Sequence, residues 1–320
     1  LLFAAVAEKA SQAVQADAHK RPDHQYPADG IDEARGVSSQ DVAGPGELGG
    51  GRRIVANGPE RSGDELGVLE QLLKPAGILL RNDTSVRELE GLEQSVSVAR
   101  GDIPGRVRVE ENGTQFETSL TEGQKSGWFY DQAGNRARMQ RYIRDGDRVL
   151  DICTYAGAWG VTAALAGAAE VSCVDASQAA LEQTGRNAEL NNVAKRVETE
   201  QGDAFDVLKR LAAEKRRYDV VILDPPAFIK RRKDQKQGEQ AYGRLNSLGL
   251  EVLENDGILI TSSCSFHMEQ SKLQNVVRQG AVRQNTQLRL LEFGQQRQDH
   301  PVHPAIPETA YLKTLFFHKS

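Results

Sequence analysis

The sequence predicts an α/β protein with a mostly parallel sheet and helices on both faces over residues 121–320. Apolar strand candidates at 148–152, 170–174, 196–200, 218–223 and 257–262 alternate with helical stretches such as 177–191 and 203–214, the pattern of a doubly wound sheet. Chemistry-bearing residues also fall at or just after the carboxyl ends of those strands: Asp151, Asp175, Asp203, Asp224 and Cys264. In open α/β sheets that is the edge where ligands bind, near the point where strand order reverses.

Ahead of this sheet the elements are sparser. Residues 1–75 are rich in Gly, Ala, Asp and Gln, with breakers at Gly44-Pro45-Gly46, Gly49-Gly50-Gly51 and Asn57-Gly58-Pro59; a helix over 4–18 is the one element expected there. Residues 76–120 read as a small β-rich module. Gly77-Ile78-Leu79-Leu80 and Arg106-Val107-Arg108-Val109 are short strands, and Glu111-Asn112-Gly113-Thr114 is a hairpin signal leading into Gln115-Phe116-Glu117-Thr118. Two further strands, 287–292 and 311–317, close the chain.

Composition excludes several classes. Charged residues are 27% and hydrophobic ones 39% of the 320 residues, as in globular proteins, and no apolar run reaches the ~18 residues of a membrane span. The start Leu1-Leu2-Phe3-Ala4-Ala5-Val6-Ala7 lacks a basic stretch and an initiator Met, so it reads as a trimmed N-terminus rather than a signal peptide. Cys153, Cys173 and Cys264 form neither a disulfide framework nor a metal-ligand pattern, which fits a reducing cytoplasm. The net charge of -5 divides unevenly: residues 1–120 hold 13 Lys/Arg against 20 Asp/Glu, and residues 121–320 hold 27 against 25. Nucleic-acid binding must therefore rest on a local basic patch.

The strand ends suggest a nucleoside site. Asp151-Ile152-Cys153-Thr154-Tyr155-Ala156-Gly157-Ala158-Trp159-Gly160 follows the first strand, and its glycines allow close backbone approach to a ligand. The spacing is not G-x-G-x-x-G, so the dinucleotide fingerprint is missing. Asp175 ends the next strand, where an acid can accept the ribose hydroxyls. Asp203, after the third, can take an adenine amino group, with Phe205 packing on the ring. Each acid alone is equally a helix N-cap; the ordered series points to adenosine without a phosphate cradle, and to S-adenosylmethionine rather than NAD.

A second constellation follows. Asp224-Pro225-Pro226 ends the strand at 218–223, and a Pro pair stops the ladder and fixes the turn that aims the acid. Cys264, in Ser263-Cys264-Ser265, ends the next strand and is the candidate nucleophile, with Asp224 as its catalytic partner. Lys230, Arg231, Arg232 and Lys233 follow the Pro turn and are candidate phosphate contacts, although such a run is also an ordinary solvated loop. Cys153 and Cys173 read as packing. His300 and His303 read as structural, with substrate contact as the alternative, and His267 as the start of a surface helix, with tuning of the Cys264 thiol as the alternative.

These residues carry a resemblance. Gly123-Gln124-Lys125-Ser126-Gly127-Trp128-Phe129-Tyr130-Asp131-Gln132, the Asp151–Gly160 turn, Asp224-Pro225-Pro226-Ala227-Phe228, Ser263-Cys264-Ser265, Asp299-His300-Pro301-Val302-His303-Pro304 and Pro307-Glu308-Thr309-Ala310-Tyr311-Leu312-Lys313 occur in order across 123–320. Together they resemble the class I S-adenosylmethionine-dependent methyltransferases that form 5-methylcytosine in large-subunit ribosomal RNA. The resemblance implies a Rossmann-like fold, ribosomal RNA as partner, a homodimer and a cytoplasmic location; residues 1–75 show no recognisable PUA domain, with which that family usually begins. It implies that Lys125 and Ser126 lie near the methionine end of the cofactor, that Tyr155 and Gly157 line it, and that Asp175 holds its ribose and Asp203 its adenine. Asp151 belongs to the same cofactor set. Asp224, Pro225 and Pro226 would face the target base and Cys264 would attack it. Two other readings stay open at this point: a purine N-methyltransferase in which Cys264 is idle, since such enzymes share an acid-or-Asn/Pro/Pro turn, and a non-catalytic RNA-binding assembly factor.

Overall fold

The computed structural model describes residues 53–56, 63–83, 87, 91–121 and 127–320. The helix expected at 4–18 lies outside the described residues, as do Lys125 and Ser126. By its contacts the chain divides into two compact units, Leu1–Val107 and Arg108–Ser320. The three-module reading, with boundaries at 75/76 and 120/121, we retain as a proposal.

In the first unit, β1 (Arg53–Ala56) pairs parallel with β2 (Gly77–Asn82), and β2 pairs antiparallel with β3 (Ser95–Gly101). Parallel neighbours need a crossover, which α1 (Gly63–Leu73) supplies, with Leu66 packed on Ile78. Neither β1 nor α1 is assigned by the sequence reading: β1 has only four residues, and the surrounding breakers hide the helical period.

β4 (Arg106–Glu111) and β5 (Thr114–Ser119) form a two-stranded ribbon. Its Asn112-Gly113 turn has φ of 51° and 79°, the left-handed pair that a type I′ hairpin turn demands. The ribbon's second strand is fastened within the larger unit. Gln183 and Asn187 both donate to the Glu117 carbonyl, at 2.6 and 3.2 Å, and Asn187 Oδ1 accepts from Glu117 N at 2.7 Å.

The larger unit is built on β6 (Arg148–Ile152), β7 (Glu170–Asp175), β8 (Val197–Gln201), β9 (Tyr218–Leu223), β10 (Leu253–Ser263), β11 (Leu288–Gln295) and β12 (Lys313–Lys319). They form one sheet in the order β11-β12-β10-β9-β6-β7-β8. The first five are parallel, and β12 and β11 are added antiparallel at one side. The chain winds outward from β6 to β8, then returns to lay β9 on the other side of β6. The strand order reverses between β6 and β9, whose carboxyl ends carry Asp151 and Asp224.

Helices α2 (Ala133–Met139), α3 (Ala158–Leu165), α4 (Gln178–Leu190), α5 (Ala204–Ala213), α6 (Gln235–Val252) and α7 (Gln270–Arg283) complete the unit. Side chains alternate across strands. Leu150, Ile152, Val221, Leu223 and Leu259 pack with Leu208 and Leu211 of α5, Leu245 of α6 and Leu273 of α7. The opposite register meets α3, where a Cβ on Gly160 would come within 2.4 Å of Cys173 Sγ and 3.2 Å of Val171 Cγ1. Cys173 is fully buried there, in the packing role read from sequence. Among the described residues no helix is long and apolar enough to cross a membrane.

Candidate active site

The turn after β6 is held by two acids. Asp151 is fully buried, and its Oδ2 accepts from Thr154 Oγ1 at 2.5 Å and from Gly160 N at 3.0 Å. Its Oδ1 is buried with no partner. Burial pushes this carboxyl up to about 7. Asp175 accepts from Tyr155 N at 2.9 Å on one oxygen and from Ser177 N at 2.9 Å on the other. The turn alternates left-handed residues at Cys153, Tyr155 and Gly157, with φ of 64°, 53° and 77°. It is locked from behind by Thr184, which donates to the Tyr155 carbonyl at 2.9 Å.

Gly157 is required on two counts. Its φ is left-handed, and a Cβ would lie 2.6 Å from Thr184 Cγ2. Gly157→Ala is therefore expected to destabilise the protein by about 1–3 kcal/mol, read as a lower urea midpoint at unchanged slope.

Asp203 is the N-cap of α5: its Oδ1 accepts from Phe205 N at 2.9 Å and Asp206 N at 3.2 Å. Capping and ligand binding are compatible, because Asp203 is exposed and the cap occupies one oxygen only. The Phe205 ring lies 6.1 Å from that of Phe228, with the Arg244 guanidinium 5.0 Å from its centroid. Cys153 sits where the acids converge. Burial raises its thiol first, followed by the charges of Asp175, Asp224, Asp151 and Asp203. That makes Cys153 a poor nucleophile, and it gives the strand ends an anionic lining suited to a cationic ligand. The orphaned Asp151 Oδ1 and the capacity left on Asp175 and Asp203 fit a ligand rich in hydroxyl and amino donors.

Asp224 follows β9 and is gripped from one side by Gln132 and from another by Trp159. Gln132 Nε2 lies 3.0 Å from both carboxylate oxygens, and Trp159 Nε1 donates to Oδ2 at 2.9 Å. The Gln132 amide is itself fixed, with Oε1 accepting from Asn135 Nδ2 at 2.7 Å. Burial raises the Asp224 carboxyl to about 6, against the pull of the Trp159 and Gln132 donors. Pro225 is buried and Pro226 exposed.

Cys264 follows β10 and is partly buried. The serines on either side point their hydroxyls inward. Ser263 Oγ donates to the buried Tyr242 hydroxyl at 2.9 Å, Ser265 Oγ lies 3.0 Å from the same hydroxyl, and Ser265 N donates to Ser263 Oγ at 3.2 Å. Ser265 Oγ also accepts from Ile229 N at 3.1 Å. The Ser-Cys-Ser segment is thereby tied both to α6 and to the loop after Pro225-Pro226, which fixes the thiol relative to Asp224. Burial, Asp224 and Asp131 push the thiol up to about 11, with Lys313 acting in the opposite direction.

Lys230, Arg231, Arg232 and Lys233 are all exposed, and Arg231 pairs with Asp234 at 3.2 Å. His300 Nδ1 lies 3.1 Å from Asp299 Oδ1, and His303 Nδ1 accepts from Ala305 N at 3.2 Å, both local loop contacts. His267 precedes α7, which begins at Gln270, so it is not the helix start expected; its ring stacks edgewise on Phe266 instead. Gln132, Asn135, Trp159, Tyr242 and Lys313 have no role in the sequence reading.

Comparisons with known proteins bear on the family and the fold. A family model described as S-adenosylmethionine-dependent methyltransferase matches residues 98–318. A Methanocaldococcus jannaschii protein named as a putative ribosomal RNA large subunit methyltransferase is 39% identical over 244 residues, covering 72% of this chain and 62% of the relative. Ribosomal RNA large subunit methyltransferase I of Pseudoalteromonas atlantica is 36% identical over 240 residues, covering 75% and 60%. The chain thus spans about three fifths of the length of these curated relatives. A crystal structure described as a putative methyltransferase complexed with SAH has the same fold, with a TM-score of 0.71 at 22% identity over 85% of this chain and 72% of that one.

Proposed function

Since the chain belongs to the S-adenosylmethionine-dependent methyltransferase family, we propose that it methylates carbon 5 of a cytosine in large-subunit ribosomal RNA through a Cys264 thiolate. The single observation that carries the cytosine-5 reading is the thiol of Cys264, pinned by Ser263 and Ser265 and acted on by the charge of Asp224 from the adjacent strand end. The ribosomal RNA part rests on the names of the two relatives.

Carbon 5 of cytosine is a weak nucleophile. The Cys264 sulfur adds to carbon 6, the ring nitrogen takes a proton from Asp224, and carbon 5 gains enamine character. S-adenosylmethionine, when bound, supplies the methyl group that forms the new bond to carbon 5 and leaves SAH. Loss of the carbon-5 proton to a base then expels the thiolate, the ring nitrogen gives its proton back to Asp224, and the aromatic ring is regenerated. Asp175 is suited to the ribose of the cofactor and Asp203 with Phe205 to its adenine. The turn through Asp151, Tyr155 and Gly157 lines it, and Lys125 and Ser126 serve its methionine end. The base reaches such a pocket only when unstacked. Pro225 and Pro226 border the base, and the exposed Lys230–Lys233 run is suited to neighbouring phosphates, so RNA binding is expected to weaken with salt. A homodimer and a cytoplasmic location complete the reading.

The test is product identification. Large-subunit rRNA incubated with the protein and labelled cofactor is digested to nucleosides and analysed by mass spectrometry; 5-methylcytosine is expected. Substrate RNA carrying 5-fluorocytosine lacks the proton that must be lost, so it is expected to trap a covalent protein–RNA adduct. An N-methylated purine, with no trapped adduct, would overturn the proposal.

A further inference from the structure

Among the described residues Lys313 is a buried cation with no carboxylate partner. It is 8% exposed and opens β12, opposite Ser263 in the antiparallel pairing with β10. Its Nζ donates to the Ser265 carbonyl at 2.8 Å and to the Tyr311 carbonyl at 2.8 Å. Two neutral carbonyls leave an ammonium's charge uncompensated, and an isolated buried charge is costly. The chain holds an instructive contrast at the other end of the strand. Lys319 Nζ donates to the Leu250 and Leu253 carbonyls at 3.0 and 2.6 Å, where α6 ends, and it also feels the Glu254 carboxylate. That is a helix-terminus cap with a counter-charge. Lys313 caps no helix, and among the described residues the ionisable group whose charge acts on it is Cys264.

We propose that Lys313 is a positioning residue for Cys264: an ammonium fixed at the head of β12 by the Ser265 and Tyr311 carbonyls, which compensates the charge of the attacking thiolate. The proposal rests on Cys264 as the nucleophile. The other groups facing that thiol oppose ionisation or are neutral: Asp224 after β9 and Asp131 in the turn before α2 raise it, and the hydroxyls of Tyr242 on α6 and Tyr311 before β12 adjoin it. Among the described residues Lys313 is the cation that acts on it. Burial lowers its own ammonium to about 8, so it is still protonated at neutral pH.

Alkylation of Cys264 by iodoacetamide, followed peptide by peptide from pH 6.5 to 9.5, tests this without any methyl transfer. A failure of the cytosine-5 reading is therefore distinguishable from a failure of this one. The probe reacts with the thiolate. Each unit by which the thiol rises removes tenfold of that form, of which higher nucleophilicity restores roughly threefold. Lys313→Met is expected to slow alkylation about threefold to tenfold at pH 7, with the near-ultraviolet circular dichroism unchanged. Lys313→Gln, which keeps a donor for the carbonyls, should be slowed as much and serves if the Met variant does not fold. Lys313→Arg, which keeps the charge, should stay within about twofold of the wild type. In the wild type the log rate should rise with pH until Lys313 begins to deprotonate, at about 8, and then level off; in Lys313→Arg it should go on rising. Unchanged rates in folded Lys313→Gln, or equal slowing in Lys313→Arg and Lys313→Gln, would overturn the proposal.

Discussion

Cys264→Ala is expected to lower methyl transfer to carbon 5 by about 10³-fold or more, with SAH affinity and fold preserved. Removing the sulfur removes the carbon-6 adduct, and with it the enamine character that makes carbon 5 reactive. The remaining site can still orient the base, but no other group near it can substitute. Cys153 is held in the thiol form by burial and four surrounding acids, and Cys173 is packed against α3. The structural cost of the change is small, because the side chain is partly exposed and the segment is held by the flanking serines. Cys264→Ser should fare little better, since a hydroxyl in the same setting is ionised far less than the thiol. Single-turnover transfer measured beside SAH calorimetry separates chemistry from binding. Retention of activity within about tenfold in Cys264→Ala would sink the cytosine-5 mechanism and leave the methyltransferase family assignment standing.

The strands that build this site were legible because buried parallel strands read as continuous apolar runs. Val220-Val221-Ile222-Leu223 and Ile258-Leu259-Ile260 are both such runs; the first leads directly into Asp224, and the second lies in the strand that ends at Ser263, just before Cys264. The Asn112-Gly113 hairpin was legible for a local reason, its left-handed turn. At Asp203 the N-cap reading is seen directly, on one oxygen, and the other oxygen is left open. What the sequence hides are partners far apart along the chain. Gln132 reaches Asp224 across 92 positions and Trp159 reaches it across 65. No spacing rule links such residues, because the contact exists only once β9 has returned beside β6. Lys313 did leave a signal: a lysine heading the apolar run Leu315-Phe316-Phe317 in a strand buried along nearly its whole length. Such a position is uncommon for an ammonium unless something nearby needs the charge.

Asp224→Asn is expected to lower kcat by about 10²–10⁴-fold near pH 7 and to change the shape of the pH profile. Active enzyme requires protonated Asp224 and ionised Cys264. Above about 6 the protonated fraction of Asp224 falls tenfold per unit. Over the same range the thiolate fraction rises tenfold per unit, until Lys313 loses its proton at about 8. The two trends cancel, so wild-type kcat should be nearly flat from about pH 6.5 to 7.5. Asparagine removes the first factor, and the variant's rate should climb about tenfold over that interval. The amide can still accept from Trp159, but its NH2 would face that of Gln132, whose orientation is fixed by Asn135. Stability gives an independent reading. The folded carboxyl binds its proton more tightly than an unfolded one, so this stabilising contribution is present at low pH and is lost as pH rises through about 6. Asp151, raised to about 7, adds a similar loss that the variant retains. Urea midpoints at pH 5 and pH 8 should therefore differ less in Asp224→Asn than in the wild type. A variant that lost activity but kept the flat wild-type profile would remove Asp224 from proton transfer and reduce it to a scaffold for the target base.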